Sequence, residues 1–251
     1  MKIVHVVHGF ESGGVVSVVK NLIKAQSKME HEIEIITQPK DVNLVSEWLS
    51  HNNIKASVES FSPVCLHYPT ITGCVIGCKR LKNKETVWHF HNPVTIGLLP
   101  LYRPSNAVCT IHGYNTGGNN ISNFIFDSTL KKFARKNGMV VGCCNAVTSF
   151  YAKKLELKDS NKIATVENGT ETEKKESPCF STENKKLKIG YVSYIDELKG
   201  WEILANAYMK LSLQEKEKLT IVFAGKIDEN EKEKFDSFCN NNPGILYLGY
   251  I

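Results

Sequence analysis

The chain has 251 residues, of which 42% are hydrophobic, 23% charged and 9% aromatic, and its formal net charge is +5. These values are typical of soluble globular proteins and argue against disordered, collagen-like and coiled-coil chains. The length allows one large domain or two small ones. Every apolar run is well short of the about 20 residues that a transmembrane helix needs. Since the N-terminal apolar run is also too short for a signal-peptide core, we expect a cytosolic protein.

The eight cysteines are expected to be reduced thiols. The chain is larger than the small secreted domains that depend on disulfides, and it carries no recognisable export signal. Cys74 and Cys78 are four positions apart, but no second pair or nearby histidine completes a zinc pattern. Packing is therefore the preferred interpretation of this pair.

The N-terminal part alternates short β-branched runs with longer amphipathic ones, which is the pattern of βα units on a parallel sheet. The predicted strands are Lys2–Val7, Glu32–Thr37, Ile54–Ser57, Thr86–His91, Ala107–His112, Met139–Cys143 and Lys162–Glu167. The predicted helices are Val15–Lys28, Val42–His51, Thr70–Leu81, Asn123–Lys136 and Ala146–Leu155. Helical spacing in the first helix predicts one apolar stripe against the sheet, formed by Val15, Val18, Val19, Leu22 and Ile23.

A polar, charged segment at residues 171–186 contains Pro178 and predicts a linker between domains. The βα pattern then resumes, with strands predicted at Leu187–Ser193, Leu219–Ala224 and Ile245–Leu248 and helices at Trp201–Leu211 and Glu229–Cys239. No helix is predicted after the last strand, although parallel sheets are normally covered on both faces. We therefore expect an α/β protein with a complete Rossmann-like domain at 1–170 and an incomplete second one at 187–251.

Gly13 and Gly14 lie at the first predicted turn from strand to helix. Glycines and the free N–H groups of a helix N-terminus suit a phosphate or sugar at this position of a doubly wound sheet. The spacing matches neither the dinucleotide-binding fingerprint nor a P-loop. A tight turn without a ligand is the alternative interpretation.

His89, His91 and His112 lie at the carboxyl ends of predicted strands, where open α/β sheets place functional groups. Buried, hydrogen-bonded histidines are the alternative. His89 and His91 would face the same side of one strand and could chelate a metal. No carboxylate partner is visible nearby, so no metal site is expected there.

Several short motifs follow one another along almost the whole chain. In the first part these motifs are Met1-Lys2-Ile3-Val4-His5-Val6-Val7-His8, Ser12-Gly13-Gly14, Val87-Trp88-His89-Phe90-His91, Thr110-Ile111-His112-Gly113, Asn145-Ala146-Val147 and Val166-Glu167-Asn168-Gly169-Thr170. In the second part they are the run from Ile189 to Gly200, Ile221-Val222-Phe223-Ala224-Gly225 and Leu246-Tyr247-Leu248-Gly249-Tyr250. Their order resembles glycosyltransferase family four. The resemblance implies a GT-B architecture, in which two Rossmann-like domains, one on the acceptor side and one on the donor side, face a cleft.

The resemblance also implies retaining transfer of a sugar from a UDP- or GDP-linked donor, without a cofactor or a metal. His112 matches the family's catalytic histidine near the donor sugar. Gly14, next to Gly13, matches the glycine at the donor phosphates, and Lys199 matches the lysine on the diphosphate. Tyr194 stands where the family has an arginine, and its hydroxyl can still donate a hydrogen bond.

His89, His91 and Asn92 are the acceptor-side candidates. The family's two glutamates, eight positions apart, have no match in the chain and are expected beyond Ile251.

The leading hypothesis is transfer of a hexose or N-acetylhexosamine to a glycan or polyprenyl-linked acceptor in surface-polysaccharide assembly, such as that of lipopolysaccharide or O-antigen. The alternative is a noncatalytic binding module of the same fold, truncated or completed by a partner. An epimerase fits the motifs less well.

Two basic groups suit docking on an anionic membrane surface, with solvated helix faces as the alternative. These groups are Lys79, Arg80, Lys82 and Lys84, and Lys131, Lys132, Arg135 and Lys136. No nucleic-acid partner is expected, because no recognition motif accompanies the charge.

Overall fold

The computed structural model describes residues 1–11, 13–60, 85–91, 93, 96, 106–114, 120–135, 138–157, 161–170 and 186–251. The predicted helix Thr70–Leu81, the acceptor-side candidate Asn92 and nearly all of the predicted linker lie outside these residues. The chain divides into two compact units, Met1–Glu173 and Lys174–Ile251, which are called unit 1 and unit 2.

Unit 1 is an α/β unit built on one parallel sheet. Its strands are β1 (Lys2–Val6), β2 (Glu32–Thr37), β3 (Ala56–Ser60), β4 (Thr86–Phe90), β5 (Ala107–Ile111), β6 (Met139–Gly142) and β7 (Ile163–Thr165). Its described α-helices are α1 (Gly14–Lys28), α2 (Val42–His51), α3 (Asn120–Arg135) and α4 (Asn145–Lys154). The strand order is β3-β2-β1-β4-β5-β6-β7, so β1 and β4 are neighbours at the point where the chain reverses direction across the sheet.

The two faces of this sheet carry different residues. On one face, Trp88, Phe90 and Cys109 pack in a cluster with Phe133 of α3 and Tyr151 of α4. On the other face, Ile33 and Ile35 of β2 pack in a second cluster with α1 and α2, and this cluster also includes Phe10, Val16, Val19, Ile23 and Val45. Alternation along β4 therefore places His89 and His91 on the face opposite Trp88 and Phe90.

Unit 2 contains a parallel three-stranded sheet in the order β10-β9-β8, formed by Leu187–Val192 (β8), Leu219–Ala224 (β9) and Ile245–Tyr247 (β10). Its α-helices are α5 (Trp201–Met209), α6 (Leu213–Glu217) and α7 (Lys232–Asn240). One sheet face packs in a cluster with α5 and α7, around Trp201, Phe223 and Phe235. On the other face Val192 is 78% exposed and Leu246 is 49% exposed.

Most predicted elements are present with ends shifted by a few residues, because hydrophobic periodicity fixes the interior of an element better than its ends. Three differences are informative. The third strand runs from Ala56 to Ser60 rather than from Ile54 to Ser57. The predicted stripe on α1 is wrong in part, since Val15 is 37% exposed and Val16 is buried instead. Helix α6 was not predicted, although Ser212 and Glu215 form a capping box at its start.

The four cysteines of the described segments, Cys109, Cys143, Cys144 and Cys239, are free thiols. Across the described ranges, no helix has the length and apolar character needed to cross a membrane.

Candidate active site

Four histidines lie together on the α1 side of the unit 1 sheet. Register pairs His5 of β1 with His89 of β4, and His91 follows His89 by two positions on the same face. The imidazole centroids of His89 and His91 are 4.1 Å apart, and His5 is 5.4 Å from His89 and 5.2 Å from His91. His112 follows β5 and stacks on His91 at 5.7 Å.

Hydrogen bonds fix the orientation of rings in this histidine cluster. His5 Nε2 lies 2.7 Å from Gln26 Oε1 of α1. Because an amide oxygen only accepts, His5 Nε2 carries the proton and donates it, and His5 Nδ1 is left as an acceptor. His5 Nδ1 lies 2.9 Å from His91 Nε2, which therefore donates. His89 Nε2 is 2.8 Å from the Thr110 hydroxyl.

All four imidazoles are held in the neutral form. Burial lowers the pKa of His5 to about 4 and that of His89 to about 3. Burial, together with repulsion from His89, His5 and His112, keeps the pKa of His91 well below its usual value. Burial also lowers the pKa of His112. At neutral pH these side chains present lone pairs as well as N–H groups.

Several ring nitrogens of the cluster have no hydrogen-bond partner. Within the described part of the chain, His91 Nδ1 and both ring nitrogens of His112 are buried and unpaired. His91 is 3% exposed. Because buried polar atoms in folded proteins are normally hydrogen-bonded, these nitrogens are candidates for contact with a ligand.

A cavity of about 430 Å³ borders the histidine cluster in unit 1. Its wall includes Val18 and Leu22 of α1, so these two side chains of the predicted stripe line a cavity. The wall also includes His89, His91 and His112. The cavity therefore gives a ligand access to three of the histidines.

Gly13 and Gly14 lie at the N-terminus of α1. Gly13 has φ 116°, a conformation open mainly to glycine, and it is the N-cap residue without a side-chain cap. A Cβ on either glycine would meet no atom within 4 Å. The first N–H groups of a 15-residue helix are thus uncapped by a side chain and sterically accessible, as anion binding requires.

Lys199 lies in unit 2, at the end of a short 3₁₀ helix, Glu197–Lys199. Its backbone is fixed because its N–H donates to Asp196 Oδ1 at 2.7 Å and its carbonyl accepts from the Tyr191 hydroxyl at 3.2 Å. Its side chain is exposed. An ordered backbone with a solvent-facing ammonium suits contact with an anionic ligand.

Tyr194 lies in the loop after β8. Its hydroxyl donates to Asp228 Oδ2 at 3.4 Å, and the residue is 39% exposed. Gly225, in the loop after β9, approaches this loop so closely that a Cβ would lie 1.8 Å from the Ser193 carbonyl oxygen. The two loops at the carboxyl edge of this sheet therefore form one packed surface.

The structure brings together three of the predicted residues, His89, His91 and His112, in unit 1. Gly13 and Gly14 are in the same unit but do not line the cavity, and Lys199 and Tyr194 are in unit 2. Sequence reasoning missed His5 and Gln26. A signal for His5 was present, because a doubly wound order places the first and fourth strands side by side.

The chain was compared with known proteins. The family model described as Glycosyltransferase Family 4 matches residues 12–174. Curated proteins gave no match.

Solved structures resemble the chain over nearly its whole length. A mutant of S. aureus TarM, in complex with fondaparinux, alpha-GlcNAc-glycerol and UDP, has a TM-score of 0.69 at 12% identity. The alignment covers 100% of this chain and 77% of the TarM chain. WaaG, a glycosyltransferase involved in lipopolysaccharide biosynthesis, has a TM-score of 0.64 at 9% identity, and the alignment covers 99% of this chain and 70% of the WaaG chain. A putative UDP-N-acetylglucosamine 2-epimerase from Listeria monocytogenes has a TM-score of 0.60 at 12% identity, and the alignment covers 100% of this chain and 69% of the epimerase chain. At these identities the likeness shows the fold alone.

Proposed function

Because the chain belongs to glycosyltransferase family 4 and has an α/β fold of the GT-B type, we propose that it is a retaining glycosyltransferase. It takes a hexose or N-acetylhexosamine from a UDP- or GDP-linked donor. The acceptor is a glycan or a polyprenyl-linked lipid in surface-polysaccharide synthesis. The family match over residues 12–174 carries this proposal, and the bound UDP of TarM and the lipopolysaccharide role of WaaG support the donor and acceptor classes.

We assign the donor diphosphate to groups that carry or concentrate positive charge. When the bond from the sugar C1 to the diphosphate oxygen breaks, its electron pair stays with the diphosphate. A fixed cation and N–H donors stabilise that charge more in the transition state than in the bound donor. Lys199 supplies the cation, and the uncapped start of α1 at Gly13 and Gly14 supplies N–H groups. Tyr194 contributes a neutral hydroxyl, shared with Asp228.

His112 is assigned to the sugar itself. Burial lowers the pKa of His112, so its imidazole is neutral at physiological pH and offers one donor and one acceptor. Both nitrogens are unpaired within the described residues, as expected of a group whose partner is a ligand hydroxyl. With retention, the acceptor oxygen forms its bond to C1 on the face that the diphosphate leaves, and the acceptor proton passes to the departing phosphate oxygen.

The acceptor is assigned to unit 1. His89 and His91 border the cavity there, and Asn92 follows them in the sequence. Contact with an anionic membrane is part of the proposal for a lipid-linked acceptor. Two of the basic residues of α3, Lys131 and Arg135, already lie 2.6 and 3.9 Å from Glu156, so Lys132 is the more available cation for that contact.

The donor assignment is tested by thermal unfolding of the full chain with UDP or GDP. We expect nucleotide to raise the melting temperature of the wild type, and Lys199→Ala to remove most of that shift. Lys210→Ala is the matched control, because Lys210 is an exposed lysine in the same unit, at the end of α5. An equal shift in Lys199→Ala and wild type contradicts the role of Lys199.

The donor chemistry separates transferase from epimerase. Incubation with the preferred nucleotide sugar and no acceptor should leave the sugar configuration unchanged, as followed by NMR. Inversion at a sugar carbon without acceptor would favour an epimerase, the activity named for the Listeria structure.

A further inference from the structure

We propose that His5, His89 and His91 form a binding site for a divalent transition-metal ion, with Zn²⁺ as the best-fitting ion. The site shares His89 and His91 with the proposed acceptor side of the glycosyl transfer and uses none of the residues assigned to the donor. It differs from the expectation from sequence that no metal site lies at His89 and His91.

The geometry supplies the three ligands. One nitrogen from each of His5, His89 and His91 lies within 4.8 Å of the other two. A tetrahedral zinc ion with Zn–N bonds of about 2.0–2.1 Å needs nitrogens roughly 3.3 Å apart. The cross-strand pairing of His5 with His89 places the ligands on adjacent strands, and the proposed site requires rotation of the rings to reach that spacing.

The outer contacts are those that metal-binding histidines make. Such a histidine holds the metal with one nitrogen and donates from the other to an oxygen. His5 Nε2 donates to Gln26 Oε1 at 2.7 Å, which leaves Nδ1 as a lone pair facing His91. His89 Nε2 lies 2.8 Å from Thr110 Oγ1, and in the tautomer that donates to this hydroxyl its Nδ1 is a lone pair.

His91 completes the set of three ligands. Its Nε2 donates to His5, while its Nδ1 is buried and unpaired among the described residues. For His5 Nδ1 and His91 to hold the same ion, His91 binds through Nε2, because an Nε2–H that donates to His5 Nδ1 would occupy that lone pair. The ring proton of His91 then moves to Nδ1, which requires no net loss of a proton.

The surroundings suit a cation held by neutral ligands. Metal binding requires an unprotonated imidazole nitrogen, and the donation from His5 Nε2 to Gln26 Oε1 leaves His5 Nδ1 as such a nitrogen. His89 and His91 border the cavity of about 430 Å³, which gives an ion an entry path. Glu167, Lys24 and Lys28 also line this cavity.

The ligand set selects the class of ion. Three imidazoles without a thiolate suit Zn²⁺, Cu²⁺, Ni²⁺ or Co²⁺, whereas Mg²⁺ and Ca²⁺ require oxygen ligands. Three protein ligands leave a fourth tetrahedral position for water or for an oxygen of a ligand in the cavity.

The test is titration of the chelator-treated full chain with Zn²⁺ by calorimetry and with Co²⁺ by visible absorption. We expect one saturable ion per chain, with tetrahedral Co²⁺ bands and no thiolate charge-transfer band. His89→Gln removes a ligand and should weaken binding by more than about tenfold, while Gln26→Ala, which removes only the outer contact, should weaken it by about tenfold. His51→Gln is the control, since His51 is exposed at the end of α2, where its Nδ1 lies 3.3 Å from the Glu47 carbonyl oxygen.

Three results would overturn the site. The first is the absence of saturable binding, which would leave the cluster as a hydrogen-bonded, metal-free group. The second is a thiolate band, which would place the ion on cysteines. The third is unchanged affinity in folded His89→Gln and Gln26→Ala, with folding checked by circular dichroism.

Discussion

Acidification should destabilise unit 1 at a pH where carboxylates are still ionised. The cause is the burial of His5 and His89 as neutral imidazoles. Their pKa values fall from 6.5 to about 4 and about 3 on folding, with burial as the main cause. A histidine whose folded pKa is lowered contributes its full stability above the unfolded value of 6.5, and that contribution is lost as the pH falls toward the folded value.

The size of the effect follows from proton linkage. A pH of 5 is 1.5 units below the pKa of 6.5 that an imidazole has in the unfolded chain. Protonation at this pH stabilises the unfolded chain by about 2 kcal/mol for each histidine. Protonation stabilises the folded state very little at pH 5, because the folded-state pKa values of His5 and His89 both lie below 5. His5 and His89 together therefore remove about 4 kcal/mol between pH 8 and pH 5, and His91 acts in the same direction. That is a large part of the about 5–15 kcal/mol of an ordinary domain.

Urea unfolding in the presence of a chelator measures this difference. A Trp201→Phe background leaves Trp48 and Trp88, both in unit 1, as the fluorescent reporters. His5→Gln should reduce the pH-dependent loss by about 2 kcal/mol, whatever its effect on stability at pH 8. His51→Gln should leave the loss unchanged. Equal unfolding free energies at pH 8 and pH 5, or an undiminished loss in His5→Gln, would refute the reasoning.

Three further substitutions test other parts of the structure. His112→Ala should lower turnover strongly with a modest loss of nucleotide binding, and steady-state kinetics at the wild-type rate would contradict its role. Gly225→Ala places a Cβ 1.8 Å from the Ser193 carbonyl oxygen at φ 144°, so calorimetry should show that the free energy of unfolding falls by roughly 2 kcal/mol or more. Gly190→Ala, whose Cβ meets nothing within 4 Å, should lower the free energy of unfolding less. Equal losses in the two variants would refute the close approach at Gly225. Ser212→Ala should cost about 1 kcal/mol in urea unfolding by removing the cap of α6, and no loss would mean that the cap is dispensable.

The sequence predicted the elements well where one signal dominates. Helix α2, Val42–His51, and strand β9, Leu219–Ala224, have the predicted ends. The third strand has an alternating small and polar sequence, Ala56–Ser60, so its position was displaced. Its place is set by pairing with β2, a contact distant in sequence that periodicity does not report.

The sequence selected three of the four clustered histidines but did not predict how they assemble. His89, His91 and His112 were selected because they end strands of a parallel sheet, and the structure places them on one face. The addition of His5 depends on the pairing of β1 with β4. The bond from Gln26 depends on how α1 packs over the sheet. Both are tertiary facts, which local patterns in a single sequence do not contain.

The central claim is tested most directly by an assay of sugar transfer. The full chain is incubated with UDP- and GDP-linked hexoses and N-acetylhexosamines and with glycan and polyprenyl-linked acceptors, and products are examined by mass spectrometry and NMR. The account predicts an acceptor that has gained one sugar, release of the nucleoside diphosphate, and an anomeric configuration equal to that of the donor. Transfer with the opposite configuration would contradict retention, and release of nucleotide without a glycosylated acceptor from any donor would contradict the assignment as a glycosyltransferase.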